Sequence, residues 1–390
     1  MKDNEYLLKH RDTDVAIFSR NEKKYISNIK ILDELFSPVF NNNKEFEIIQ
    51  SFSDWLVNRC IPDSRDGVYR LINITNNDNM VDIMISQHGL SLSDHYWIDK
   101  KPYNKKWKDV NFFENIYSED IGNILFDKNF TLNKANNNRN DPNGTLAGSL
   151  RKMWKFYEKE NQSFLLKGGS GIFRQEPFNE YFASLLLDEL KFEHVPYNIE
   201  KDNNNEYISI CPCIVDNNLE MISAKDICRK YEIEQNYNSI INLAKKKKCE
   251  PFIDSINKMV ILDYLIDNED RHWNNFGIIG DAITGDWIKG IPIFDNGYSL
   301  WNNIKVDNNY KSHSSFSNDT NAECIENVNI GNYIKDIPDM IKIFDMAFEK
   351  YDQDIIYNDE KYYREKRKMN IRDGLLEMQE LKGNYIRTNV

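Results

Sequence analysis

Residues 262–297 open with Leu262-Asp263-Tyr264-Leu265-Ile266 and continue Asp267-Asn268-Glu269-Asp270-Arg271-His272-Trp273-Asn274-Asn275-Phe276-Gly277-Ile278-Ile279-Gly280. After Asp281-Ala282-Ile283-Thr284-Gly285 and a short run at Trp287-Ile288-Lys289, they close with Ile291-Pro292-Ile293-Phe294-Asp295-Asn296-Gly297. The apolar run before Asp267 has helical spacing, and the two short apolar runs flanking a Thr-Gly turn predict a hairpin. An apolar helix therefore leads into a polar loop, the loop into a hairpin, and the hairpin into an Asp-Asn-Gly turn. Gly297 is expected to let the backbone turn sharply after Asp295.

Two carboxylates and one amide in this order match the needs of phosphoryl transfer. When a γ-phosphoryl group moves to a hydroxyl, one carboxylate must take the hydroxyl proton, and an Asn and a second Asp must hold Mg²⁺ against the phosphates. Asp270, Asn275 and Asp295 suit those roles, with the base and the Asn in one loop and the hairpin returning the chain to bring Asp295 back. The Asp-x4-Asn spacing is common by chance in an Asn-rich chain, so the weight rests on its context: Asp-Arg-His in front, an apolar helix before, a hairpin after, and Phe-Asp-Asn-Gly at the end.

Asp270-Arg271-His272-Trp273-Asn274-Asn275 together with Phe294-Asp295-Asn296-Gly297 resembles the HipA-like serine/threonine kinases, including their shorter CtkA-type branch. Those kinases carry Asp-x-His-x-x-Asn where eukaryotic protein kinases carry His-Arg-Asp-x-x-x-x-Asn. Phosphatidylinositol kinases carry a similar Asp-Arg-His-x-x-Asn, so the motif speaks to a kinase superfamily more than to an acceptor. The resemblance covers about residues 50–300. It implies an α+β, bilobal, protein-kinase-like fold with a mixed α/β N-lobe and a mainly helical C-lobe, and it implies ATP and Mg²⁺ as cofactors.

Upstream, Ser163-Phe164-Leu165-Leu166-Lys167-Gly168-Gly169 reads as an apolar strand with one lysine at its end. Such a lysine can contact the α- and β-phosphates, held by a Glu from the following helix. Pro177-Phe178-Asn179-Glu180 opens a helix with apolar periodicity. Glu180 is thus the expected partner of Lys167, and the Asn-Glu start resembles the same family. Gly144-Thr145-Leu146-Ala147-Gly148-Ser149 is a small-residue segment that reads as a turn or as a phosphate-approaching loop. By resemblance, Thr145 and Ser149 are candidate autophosphorylation and nucleotide-contact positions. Glu206-Tyr207-Ile208-Ser209-Ile210-Cys211-Pro212-Cys213-Ile214-Val215 reads as a buried strand running into a linker, and Cys213, Ile214 and Val215 are the candidates for backbone contact with adenine.

A length of 390 residues favours two lobes or domains. Three regions are expected: an accessory region 1–130, a nucleotide-binding region 131–215 and a helical catalytic region 216–390. In the first, residues 14–19 and 25–32 alternate as two strands, and Ile61-Pro62-Asp63-Ser64-Arg65-Asp66-Gly67 resembles a segment that precedes the kinase core. A net charge of -12 argues against a broad nucleic-acid surface. The six cysteines lack a CxxC pair and the six histidines are scattered, which argues against a structural metal site and for reduced thiols in a cytoplasmic protein. No apolar run has membrane-spanning length; export by a specialised system stays open. The segment 298–321, with Ser312-His313-Ser314-Ser315, reads as a loop or an activation-loop equivalent. The partners expected are a protein with a Ser or Thr acceptor and, by resemblance, a possible antitoxin-like protein, with neither direct nucleic-acid nor membrane contact. A lipid or small-molecule kinase and a nucleotide-binding pseudokinase regulator are the rival readings.

Overall fold

Alternating apolar residues build the first sheet. Strands Asn4–His10, Thr13–Arg20, Ile26–Ile31 and Tyr96–Lys100 pair antiparallel, with the third strand at one edge, then the second, the first and the fourth. The register sets Leu8 against Ala16 and Ile98, and Phe18 against Ile29, so all five share one face, and all five are buried. Helix Glu45–Asn58 covers that face with Phe52, Trp55 and Leu56; the Phe18 and Phe52 rings lie 5.1 Å apart. The other face carries Trp97, fully buried against Trp107, Phe112 and Trp154. A sheet buried on both sides contributes on the order of 1.5–3 kcal/mol for each large apolar side chain it removes from water.

The computed structural model describes residues 4–39, 44–75, 77–131, 139–171, 173–302, 320–349 and 360–388. The chain is mixed α+β and divides into two compact units. The first comprises Met1–Leu166, Cys213–Glu234 and Ile279–Ile288; the second comprises Lys167–Pro212, Gln235–Ile278 and Lys289–Val390. Besides the first sheet, the first unit holds most of a three-stranded sheet in which Gly277–Asp281 lies between Leu219–Ser223 and Trp287–Gly290. The hairpin foreseen after the polar loop is therefore present. Its third strand, Leu219–Ser223, falls in a stretch where helices were expected.

In the second unit, helix Glu176–Leu190 is opened by a proline in its first turn and stopped by Lys191 in a left-handed conformation. It is buried on most of its circumference, as a core helix must be. Helix Met340–Phe348 packs along it, with Phe344 6.0 Å from Phe182 and Phe348 stacked 5.6 Å from Phe178. Helix Glu250–Ile266 likewise begins on a proline and ends where Asp267 turns left-handed at φ 48°. The hairpin of Asn198–Lys201 with Tyr207–Pro212 pairs Ile199 with Ser209. Most of the expected activation-loop equivalent, residues 303–319, lies outside the described residues.

Candidate active site

The polar loop after Ile266 is built around one buried cation. Arg271 is 1 % exposed, and its guanidinium donates to both oxygens of Asp263 at 3.0–3.2 Å, to the Asn275 carbonyl at 3.2 Å, to the Phe294 carbonyl at 2.6 Å and to Asn296 Oδ1 at 2.5 Å. Burial alone would lower its affinity for a proton, but the Asp263 carboxylate outweighs that and holds it firmly charged. A planar fork of donors suits this work. It ties the helix that precedes the loop to both ends of the segment between Asn275 and Asn296. Asn268 completes the frame by donating to Asp263 Oδ1 at 3.0 Å and accepting the Asp270 N–H at 3.0 Å.

Within that frame Asn275 Nδ2 donates to the Asp270 carbonyl at 3.0 Å, which turns the Asn275 Oδ1 to the opposite side of the amide. The Asp270 side chain is 57 % exposed, and its Oδ2 lies 4.0 Å from His272 Nε2. Partial burial raises the Asp270 carboxyl above its usual range; the His272 ring works against this and the Asp295 charge adds to it.

Lys167 reaches the same region from the end of strand Gln162–Gly168. It is 4 % exposed, and its ammonium donates to Glu180 Oε1 and to Asp295 Oδ1. Burial disfavours the ammonium, yet the Asp295 and Glu180 charges dominate and keep it protonated above the ordinary lysine value. Glu180, fully buried, is pushed up by burial and pulled back by Lys167; its second oxygen accepts the Asn296 N–H at 2.8 Å. Asp295 stays 28 % exposed and sits at φ 58°, a left-handed conformation that Asp tolerates better than most residues. The sharp turn expected at Gly297 is thus at Asp295, and Gly297 has no positive φ. Its hydrogen matters for a different reason: a Cβ there would stand 3.1 Å from Glu176 Cβ and 3.3 Å from the Glu176 carbonyl, so glycine lets the turn approach the helix that carries Glu180. Asn179 secures this approach by donating to the Gly297 and Ser299 carbonyls at 2.8 and 2.7 Å.

Five candidates from the sequence, Lys167, Glu180, Asp270, Asn275 and Asp295, therefore gather in the second unit. The others belong to the first unit. Thr145 is buried, and its hydroxyl donates to the Leu90 carbonyl at 2.6 Å; Ser149 is exposed. Cys213 donates its N–H to the Ser163 carbonyl at 2.8 Å, with Ile214 half-buried and Val215 buried. The motif alone assigns Arg271 no role, and sequence reasoning missed Arg65, which is 2 % exposed and holds the small-residue loop by donating to the Gly148 carbonyl at 2.8 Å and the Leu146 carbonyl at 2.6 Å. The one signal for Arg65 was its place in a segment resembling those that precede a kinase core.

No protein-family model matches this sequence, and no curated protein matches it. Solved structures do. HipA of Shewanella oneidensis, from a complex of the toxin-antitoxin proteins HipA and HipB with operator DNA, is similar over 97 % of this chain and 99 % of that one, with a TM-score of 0.54 and 12 % identity. The Helicobacter pylori proinflammatory kinase CtkA is similar over 61 % of this chain and 95 % of that one, with a TM-score of 0.47 and 14 % identity. The structural neighbours are HipA-like kinases, and the fold that this chain shares is that of HipA.

Proposed function

We propose that this chain, whose fold is that of the HipA-like kinases, is an ATP- and Mg²⁺-dependent protein serine/threonine kinase. The observation that carries the reading is the sharing of one buried lysine by Glu180 and Asp295, in the same unit as a loop bearing Asp270 and Asn275. The donor set fits the cofactors. Asp295 and the Asn275 amide oxygen are hard oxygen ligands of the kind Mg²⁺ prefers, and Lys167 is a charged donor suited to phosphate oxygens. A bound metal ion would supply charge neutralisation at the phosphates.

The residues of the chain would do the rest. Asp270 would accept the proton of the acceptor hydroxyl, and its raised carboxyl brings its basicity closer to what a general base needs. Glu180 would hold Lys167 in place when the ammonium leaves Asp295 for phosphate. Arg271 would act as a positioning residue, keeping Asp270 and Asn275 in register with the turn at Asp295. In this reading the molecule is bilobal, with residues 1–130 accessory, 131–215 nucleotide-binding through the 213–215 backbone, and 216–390 catalytic. Exposed Ser149 suits autophosphorylation better than Thr145, whose hydroxyl is already committed. An antitoxin-like protein is a candidate partner because the HipA neighbour was solved with HipB.

Incubation with γ-labelled ATP, Mg²⁺ and generic protein acceptors tests the reading. Wild type should label protein, and Asp270→Asn should lose transfer while keeping nucleotide binding. Label on a lipid or metabolite would move the acceptor class, and binding without transfer by the wild type would mark a pseudokinase.

A further inference from the structure

A second cluster of side chains with ligand chemistry lies in the first unit, away in kind from the oxygen donors above. His10 ends the first strand, His95 immediately precedes Tyr96–Lys100, and Glu220 lies in Leu219–Ser223. All three are buried, at 1 %, 0 % and 2 % exposure. One ligand-capable atom from each lies within 4.8 Å of the others. Residues far apart in the chain meet because the first and fourth strands pair His10 with Tyr96, while the Met221 N–H donates to the Ser93 carbonyl at 2.8 Å and brings Glu220 alongside.

The hydrogen bonds leave an incomplete account of these rings. His95 Nε2 lies 2.9 Å from the Asp216 carbonyl, which can only accept, so the proton is on Nε2 and Nδ1 carries a lone pair. That Nδ1 is buried with no partner. His10 Nε2 lies 2.8 Å from Glu220 Oε2, and the His95 backbone N–H reaches the same oxygen at 3.4 Å; His10 Nδ1 is also buried and unpartnered. Buried polar atoms are normally paired. A ring with one N–H held by a backbone carbonyl and its other nitrogen open has the arrangement of a metal-bound histidine. Aromatic rings wall the cluster: Phe36 stacks on His10 at 4.2 Å, and Trp107 and Phe113 lie 5.0 and 5.2 Å from His95.

We propose that His10, His95 and Glu220 form a structural site for a zinc-class divalent ion, which pins strand Leu219–Ser223 to the N-terminal sheet. Two imidazoles and a carboxylate are a zinc-type donor set, whereas Mg²⁺ favours oxygen alone. Ligand atoms around a tetrahedral ion stand about 3.3 Å apart for bonds of about 2.0 Å, so an ion would part His10 Nε2 and Glu220 Oε2 slightly from 2.8 Å and draw together the donors that now stand up to 4.8 Å apart, with Glu220 able to offer one oxygen or two. The site does not depend on the kinase reading.

The test uses full-length protein purified without a histidine tag. Elemental analysis should find about one zinc-class ion per chain, and a chelator should lower the melting temperature, with Zn²⁺ restoring it. Replacement by Co²⁺ should give the strong visible absorption of a four-coordinate site, lost in His95→Gln and in Glu220→Gln and kept in Asp295→Asn. Metal-free protein indifferent to Zn²⁺ and to chelator, or a Co²⁺ spectrum that survives His95→Gln or vanishes in Asp295→Asn, overturns the proposal. Should the variants fail to fold, X-ray absorption on wild-type zinc protein decides: a shell with two imidazoles supports the site, and an all-oxygen or sulfur shell overturns it.

Discussion

At the residue scale, Arg271 and Glu269 show how much of the loop's behaviour comes from burial rather than from the motif. Arg271 is surrounded by acceptors from four residues. Lys offers a point charge instead of a fork, and Ala leaves Asp263 buried without its cation. Arg271→Ala should cost about 3–5 kcal/mol, and Arg271→Lys less, as read by urea unfolding; a loss under 1 kcal/mol in the Ala variant would mean that the frame is held by something else. Glu269 precedes Asp270, and burial, with the Asp267 charge adding, lifts its carboxyl from 4.5 to about 7; its Oε1 is buried and unpartnered. Between those two values the folded protein keeps a proton that the unfolded chain has released, so this group makes stability fall as pH rises through that window and leaves it flat above. Glu269→Gln should remove that decline. Unfolding curves at about pH 4.5 and about pH 7.5 will show the difference between variant and wild type widening with pH, and an unchanging difference would rule the effect out. The motif singled out Asp270, Asn275 and Asp295 because, in the kinase reading, phosphoryl transfer constrains their types and order. Arg271 was visible in the same six residues, but its role depends on which carbonyls face it, which no spacing records.

At the element scale, periodicity read well where apolar residues alternate or recur at helical spacing, and poorly where an element exists through a distant partner. Residues 14–19 and 25–32 were expected as strands and correspond to Thr13–Arg20 and Ile26–Ile31; the lysine-bearing strand and the helix bearing Glu180 also formed where expected. Strand Asn4–His10 was missed because its Tyr-Leu-Leu run does not alternate cleanly. Strand Leu219–Ser223 was missed because its reason to exist is its neighbour Gly277–Asp281, more than fifty positions later. The histidines looked scattered for the same reason: His10, His95 and Glu220 meet only through strand pairing. Two glycines allow elements to be tested directly. Gly297→Ala drives a methyl group against the Glu176 backbone, so it should destabilise by about 1–3 kcal/mol and reduce transfer by displacing Asp295. Gly374 lies inside helix Glu360–Thr388 with nothing near its Cβ position, and Gly374→Ala should stabilise by about 0.5–1 kcal/mol. Thermal melts of the two variants moving in the same direction would contradict this.

At the scale of the whole molecule, the chain is mixed α+β and has the fold of HipA at 12 % identity, which is possible because a fold survives on patterning and packing while side-chain identities drift. Contacts divide the chain into two compact units. The three sequence ranges could not have suggested that residues 213–234 and 279–288 would join the N-terminal unit, since that follows from pairing across long separations. The kinase reading concerns the second unit's cluster, in which a single ammonium bridges two carboxylates. Crystals soaked with Mn²⁺ and a non-hydrolysable ATP analogue test this most directly. The account predicts an anomalous peak bound by Asn275 Oδ1 and Asp295, with Lys167 moved from Asp295 onto phosphate and Glu180 still holding it. A nucleotide bound with its metal elsewhere, leaving Lys167 on Asp295, would contradict it.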